Sequence, residues 1–168
     1  TAGVTLEDIA VPQVADAMQI SGCLFTAETY GLWRDTIEAN PDAMYQEVLA
    51  RFRLGKAHSG PDYVAAWDKL DGLRKDYARA TAGFDAILLP STPILPPNLD
   101  RLKSDSDYFV SANLLALRNT RIGNLMGVCG LTLPTGTPSC GLMMMCPPDH
   151  EEHLLRIGAA VEEALSQI

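Results

Sequence analysis

Hydrophobic side chains recur at helical spacing through most of the first half of the chain. Partial alternation over residues 4–11 predicts a short strand that ends at Pro12. Beyond Pro12, apolar residues return about every three or four positions with polar residues between them, which is the pattern of amphipathic helices. Three such helices are expected, over residues 12–40, 42–54 and 61–82. The first half is therefore predicted to be mainly helical.

The hydrophobic pattern changes at Phe84. Residues 86–89 form a continuous apolar run between turn residues, which is typical of a strand buried on both faces. Residues 99–107 are polar and are expected to be irregular. The other predicted elements are a helix, two short strands and a closing helix, over 108–126, 128–134, 141–145 and 150–166. Asp149 followed by Glu152 resembles a capping box for the closing helix.

This order of elements predicts an α/β fold in which a short mixed sheet is flanked by several helices. No long linker interrupts the pattern, so residues 1–168 are expected to form a single segment. Within it, 1–83 is mainly helical and 84–168 runs strand, helix, strand, strand, helix.

Composition narrows the possible classes of protein. Of the 168 residues, 47% are hydrophobic and 20% are charged, which excludes a disordered chain. The net charge of −8 argues against nucleic-acid binding by this segment, because phosphate contacts require clustered Lys and Arg. No apolar run reaches the roughly 18 residues of a membrane span, so no membrane contact is expected. The first residues lack a secretory pattern, which favours a cytoplasmic location.

The histidines and cysteines do not predict a metal site. His150 and His153 are three positions apart, whereas helical zinc ligands are usually one full turn apart, so a solvated first helical turn is the preferred interpretation. The four cysteines show no C-x-x-C spacing and are interpreted as ordinary reduced thiols. They are Cys23, Cys129, Cys140 and Cys146.

No motif in the chain makes a complete catalytic constellation. The sequence contains neither a G-x-S-x-G elbow nor a phosphate-binding glycine loop. Ser91, Ser139 and Ser166 have no evident activating partner in the sequence. A catalytic residue is therefore not assigned.

Three segments nevertheless form a distinctive series. Residues 84–97 place an acidic residue before a buried strand and a Pro-Thr loop, and residues 119–145 place an Asn and a Gly before a strand that ends in Pro-x-Gly. The closing segment 150–165 is an amphipathic helix. The matching positions are Asp85, Pro90, Thr92, Pro93, Asn124, Gly127, Pro134, Gly136, Gly141 and Leu142. Together they resemble the C-terminal part of amidase-signature hydrolases.

The resemblance implies a protein that cleaves carbon–nitrogen bonds of a small amide substrate. In that family a serine nucleophile, a second serine in a cis peptide and a lysine carry the reaction, and all lie upstream of the matching region. This chain is then expected to be inactive alone, and no cofactor is implied. Two alternatives stay open. One is a non-catalytic remnant that forms a homo-oligomer or binds a partner through exposed apolar surface, and the other is part of a tRNA-dependent amidotransferase subunit.

Loops of such a segment are expected to border the substrate pocket, since loops often carry specificity. The candidate pocket-wall residues follow the buried strand or surround the second motif. They are Ser91, Thr92, Arg121, Asn124 and Cys129.

Overall fold

The computed structural model of this chain describes residues 3–166, in which helices dominate. The α-helices are α1 (Pro12–Ala39), α2 (Gln46–Arg53), α3 (Gly60–Thr81), α4 (Leu99–Ser104), α5 (Ser106–Ala116), α6 (Arg118–Met126) and α7 (Glu151–Leu165). The strands are β1 (Ile87–Pro90), β2 (Cys129–Pro134) and β3 (Gly141–Cys146). Two 3₁₀ turns cover Pro41–Ala43 and Leu54–Ala57. No helix within residues 3–166 is long and apolar enough to cross a lipid bilayer.

The described residues divide into two compact units. The helical unit is Pro12–Asp76, and the sheet unit combines residues 3–11 with residues 77–166. The sequence shows no sign of this division, because the boundary between the two units falls within α3, where the hydrophobic pattern is regular.

The helical unit follows its hydrophobic pattern closely. Helix α1 runs without interruption from Pro12, whose fixed φ suits a first helical turn, and ends at Ala39. Asn40 stands before a proline and leaves the helical region, with φ −147° and ψ 63°. A 3₁₀ turn then precedes α2, which is shorter than the predicted helix over 42–54.

The sheet unit is built on an antiparallel sheet with strand order β1-β3-β2. Leu88 and Leu131 both pair with Met144 of the central strand. Because side chains alternate between faces, Leu131 and Met144 share one face with Cys129 and Cys146. Helix α7 packs on that face through Leu154 and Ile157. We call this the α7 face and the opposite side the Met145 face.

The α/β class is confirmed, and several details differ from prediction. Both strand pairings are antiparallel, so the sheet is not mixed. Strand β1 lies at the sheet edge with alternate residues more exposed, and Leu88 keeps 38% of its surface accessible, so β1 is not buried on both faces. Residues 4–11 form no strand, because an extended segment becomes a strand only when a neighbour pairs with its backbone groups.

The helix boundaries and one predicted cap also differ from prediction. Residues 99–107 contain α4 and the start of α5, because Asn98 accepts the N–H of Arg101 and Asp105 accepts the N–H of Tyr108. The predicted helix over 108–126 divides at Leu117 into α5 and α6. The predicted capping box is wrong, since Asp149 has φ +63° and the N-cap residue His150 makes no side-chain cap.

Candidate functional site

The end of β1 carries the first polar group of the candidate site. Ser91 is half-buried, and its N–H donates to the carbonyl of Gly141 at 2.9 Å, which extends the β1–β3 pairing by one residue. Its hydroxyl Oγ donates to Oγ1 of Thr132 on β2, 3.3 Å away. Ser91 is therefore held by its backbone to β3 and by its side chain to β2, on the Met145 face.

Gly141 makes this approach possible. A Cβ at position 141 would lie 2.6 Å from Oγ of Ser91 and 3.1 Å from Cγ2 of Thr132. These separations are shorter than van der Waals contact, so a larger residue would displace one of the two hydroxyl side chains. The glycine of the Gly-Leu motif thus has a steric role at this site.

Asn119 on α6 also fixes the end of β1, and sequence reasoning did not single it out. The side chain is almost fully buried, with 6% of the residue exposed. Its Nδ2 donates to the carbonyl of Pro90 at 2.8 Å. A buried amide needs partners to offset its desolvation, so this bond ties α6 to the residue that precedes Ser91. The sequence offered one sign of this role, since Asn119 is a polar residue at the start of the 119–145 motif.

Thr92 forms a local turn in the loop that follows β1. Its Oγ1 donates to the carbonyl of Ile94 at 3.1 Å and accepts the N–H of the same residue at 3.3 Å. The hydroxyl therefore shapes the Pro-rich loop.

Arg121 and Asn124 both lie on α6, where Arg121 is half-buried and Asn124 is exposed. The same helix faces β3 through Gly123, where a Cβ would lie 3.6 Å from Cε of Met145. Gly127 ends α6 with φ +68°, a left-handed conformation that glycine adopts without steric cost.

Cys129 lies at the opposite end of the sheet from Ser91. It starts β2 and pairs with Cys146, whereas Ser91 follows the opposite end of the sheet, near Gly141. Its Sγ donates to the carbonyl of Pro147 at 3.2 Å, and its side chain belongs to the α7 face. The structure therefore joins the end of β1 to α6 through Asn119 and Pro90, and it does not bring Cys129 to Ser91.

The site positions hydroxyl groups without activating them. The hydrogen-bond partner of Ser91 Oγ among residues 3–166 is another hydroxyl, that of Thr132, and a serine nucleophile needs a base instead. This arrangement suits a binding wall better than a reaction centre.

A second concave region lies in the helical unit. Tyr30, Lys56 and Tyr63 help line an open cavity of about 750 Å³. Beside it, Glu38 binds Arg53 at 2.7 Å and Lys56 at 3.1 Å. Hydrogen bonds from Arg53 first and Lys56 second lower the pKa of Glu38 to about 2. Because Glu38 already neutralises charge on Lys56, we interpret this region as structural.

Comparison with known proteins identifies the relationships of the chain. No protein-family model matches it. The chain is 33% identical over 124 residues to the 2-amino-5-chloromuconic acid deaminase of Comamonas testosteroni, covering 71% of this chain and 27% of the relative. It is 36% identical over 128 residues to a glutamyl-tRNA(Gln) amidotransferase subunit of Salinibacter ruber, covering 70% of this chain and 24% of the relative. The chain thus spans about a quarter of the length of these curated relatives.

Solved structures show the same fold. A 6-aminohexanoate cyclic dimer hydrolase complexed with substrate superposes with a TM-score of 0.79 over 97% of this chain and 38% of that protein, at 20% identity. A crystal structure of an amidase gives a TM-score of 0.77 over 93% of this chain and 37% of its own. The predicted resemblance to the C-terminal part of an amidase-signature protein is thereby confirmed.

Proposed function

We propose that this chain, similar to the C-terminal part of amidase-signature proteins, is that portion of an amidase that cleaves carbon–nitrogen bonds of small amides. The observation that carries the proposal is the 33% identity to the 2-amino-5-chloromuconic acid deaminase over 71% of this chain. The fold likeness to a cyclic dimer hydrolase, over 97% of this chain and 38% of that protein, supports the same architecture.

The proposed chemistry uses a serine nucleophile, a cis-peptide serine and a lysine that all lie upstream of this chain. The pairing of Ser91 with a hydroxyl supports this arrangement, since it gives Ser91 no base. The 168-residue chain alone is then inactive, and the parent enzyme needs no cofactor.

Ser91, Thr92, Arg121 and Asn124 are proposed to form part of the substrate-pocket wall. Support comes from the grouping of the β1 end with α6 through Asn119 and Pro90. The position of Cys129 on the α7 face gives it no support as a member of the same wall.

Amide turnover tests the proposal. We expect the chain alone to hydrolyse no simple aryl or alkyl amide, and a protein in which it is joined to the missing amidase portion to do so. In that active protein, Ser91→Ala should change KM or substrate preference more than kcat, because a wall residue binds without reacting. Turnover by the isolated chain would contradict its inactivity alone. Loss of kcat alone in Ser91→Ala would contradict the role of Ser91 as a wall residue.

The alternative is a non-catalytic module that associates through apolar surface, as a homo-oligomer or with a partner. Exposed leucines from β1 to the start of α6 favour it, because exposed apolar side chains are available for contact with another chain. They are Leu88, Leu95, Leu99, Leu114, Leu115 and Leu117. Light scattering during size-exclusion chromatography distinguishes the cases: association supports this role, and a monodisperse monomer opposes it.

An amidotransferase role is the remaining alternative, and the relatives named as glutamyl-tRNA(Gln) amidotransferase subunits favour it. Glutamine-dependent amidation by a complex that contains the chain would support it over simple amide hydrolysis. The predicted cytoplasmic location is retained with either role, and cell fractionation tests it.

A further inference from the structure

Two cysteines face each other across the sheet of the sheet unit. Cys129 is the first residue of β2, Cys146 is the last residue of β3, and the two are paired in the antiparallel register. Directly opposite residues in such a pair have Cα atoms about 4.5 or 5.5 Å apart, depending on the type of pair. Both values lie within the range of roughly 4.4–6.8 Å that a disulfide spans.

The side chains also point to the same side. Cys129 and Cys146 both contribute to the apolar cluster of the α7 face. Opposed Cβ atoms in a sheet are about 4.5–5.5 Å apart, and a disulfide needs about 3.5–4.5 Å, so the strands must approach by at most about 1 Å. The pair lies at the end of the β2–β3 ladder, so strand pairing continues on one side of it only.

The two thiols differ in accessibility. Cys129 is half-buried, and its Sγ bonds the carbonyl of Pro147 at 3.2 Å near the surface. Cys146 is 2% exposed, and its Sγ donates to the carbonyl of Asp85 at 3.1 Å. A dissolved oxidant therefore reaches Cys129 first, and the buried Cys146 supplies the second sulfur.

We propose that Cys129 and Cys146 form a redox-modification site, in which a peroxide converts the cross-strand dithiol into an intramolecular disulfide. The Cys129 thiolate attacks one peroxide oxygen and becomes a sulfenic acid, while the other oxygen leaves as water. The Cys146 thiolate then attacks that sulfur, the S–S bond forms, and the released hydroxide takes a proton to become a second water. In total, two thiols lose two electrons and two protons to one hydrogen peroxide, which becomes two waters.

Burial, with smaller contributions from Cys129 and Asp85, raises the pKa of the Cys146 thiol. Since the thiolate is the attacking species, closure of the disulfide should be slow at neutral pH and should accelerate as the pH rises. The disulfide would fasten the start of β2 to the end of β3, immediately before the chain enters α7. The site does not depend on amide hydrolysis.

The test is treatment of the folded 168-residue chain with hydrogen peroxide, followed by peptide mapping without reduction. We expect a Cys129–Cys146 crosslink, a mass loss of about 2 Da from that peptide pair, and reversal by dithiothreitol. The crosslink should form faster at higher pH.

Two variants separate the steps. Cys146→Ser should accumulate a sulfenic acid on Cys129 that dimedone traps, while Cys129→Ser should leave Cys146 largely unmodified. Cys140, an exposed cysteine of the same unit, serves as an internal measure of peroxide reactivity. The proposal is overturned if wild-type Cys129 advances to sulfinic acid without crosslinking, or if Cys129 pairs instead with Cys140 or a second chain.

Discussion

The two units of this chain achieve cohesion by different means. The sheet unit packs Met144, Leu133 and Leu154 into an apolar cluster between the strands and α7. The helical unit brings a 3₁₀ turn against α1 at Gly55 and adds an ion-pair group around Glu38. Both units bury large apolar side chains, since the helical unit encloses Leu24, Leu49 and Leu70, but the helical unit adds a close backbone approach and a group of ion pairs. Substitutions and pH should therefore affect them differently.

The chain offers a natural way to observe the units separately. Both tryptophans, Trp33 and Trp67, lie in the helical unit, so their fluorescence reports on that unit. The buried Cys146 lies in the sheet unit, and its labelling by a thiol reagent reports on opening there.

The largest effect is expected from Met144→Ala in the sheet unit. Met144 is fully buried at the centre of β3, so truncation removes apolar contacts and leaves a cavity that should lower the free energy of unfolding by about 2–5 kcal/mol. Labelling of Cys146 should become much faster. Leu88→Ala, at the exposed edge position paired with Met144, is the matched control and should change labelling little. Equal effects in both variants would show that volume at Met144 is not decisive.

Gly55→Ala should be next in size and should act on the helical unit. The added Cβ would collide with the backbone carbonyl oxygen of Thr26 and with Cβ of Tyr30, which cannot rotate away. Overpacking of this kind destabilises by about 1–3 kcal/mol, so the tryptophan transition should shift to lower denaturant.

Gly22→Ala is the control for Gly55→Ala within the same unit. A Cβ at position 22 of α1 meets nothing within 4 Å, so alanine should be neutral or stabilise by up to about 1 kcal/mol through helix propensity. If both substitutions destabilise alike, the close approach at Gly55 does not control the helical unit.

The smallest effect concerns the charge of Glu38. Its pKa is lowered to about 2, chiefly by Arg53, so its contribution is present above the ordinary value near 4.5 and is lost as the pH falls through about 2. Wild-type tryptophan transitions should therefore weaken across that interval. Glu38→Gln should remove this part of the pH dependence at little cost near neutrality, because exposed ion pairs contribute little. An unchanged acid profile in Glu38→Gln would assign the loss to other carboxylates.

Sequence reasoning succeeded where the determining interactions are local. Helices α1 and α3, and strands β2 and β3, lie close to their predicted ranges because periodicity and turn residues define them. It failed at residues 4–11 and at the Asp149 capping box, where pairing partners and backbone geometry decide the outcome. Helix α4 and the early start of α5 were missed because caps at Asn98 and Asp105 act within short polar stretches.

The candidate site also combines local features that the sequence predicts with contacts that only the fold creates. The sequence by itself determined the series of motifs that resembles amidase-signature proteins. Ser91, Thr92, Arg121 and Asn124 were chosen as candidates because they lie in or beside those motifs. Only the tertiary structure placed Asn119 on the carbonyl of Pro90 and Cys129 opposite Cys146. Both contacts join residues far apart in sequence, and the register of the strands and the placement of α6 create them. Local propensity carries no information about such pairings, because their energy exists only after the chain has closed on itself.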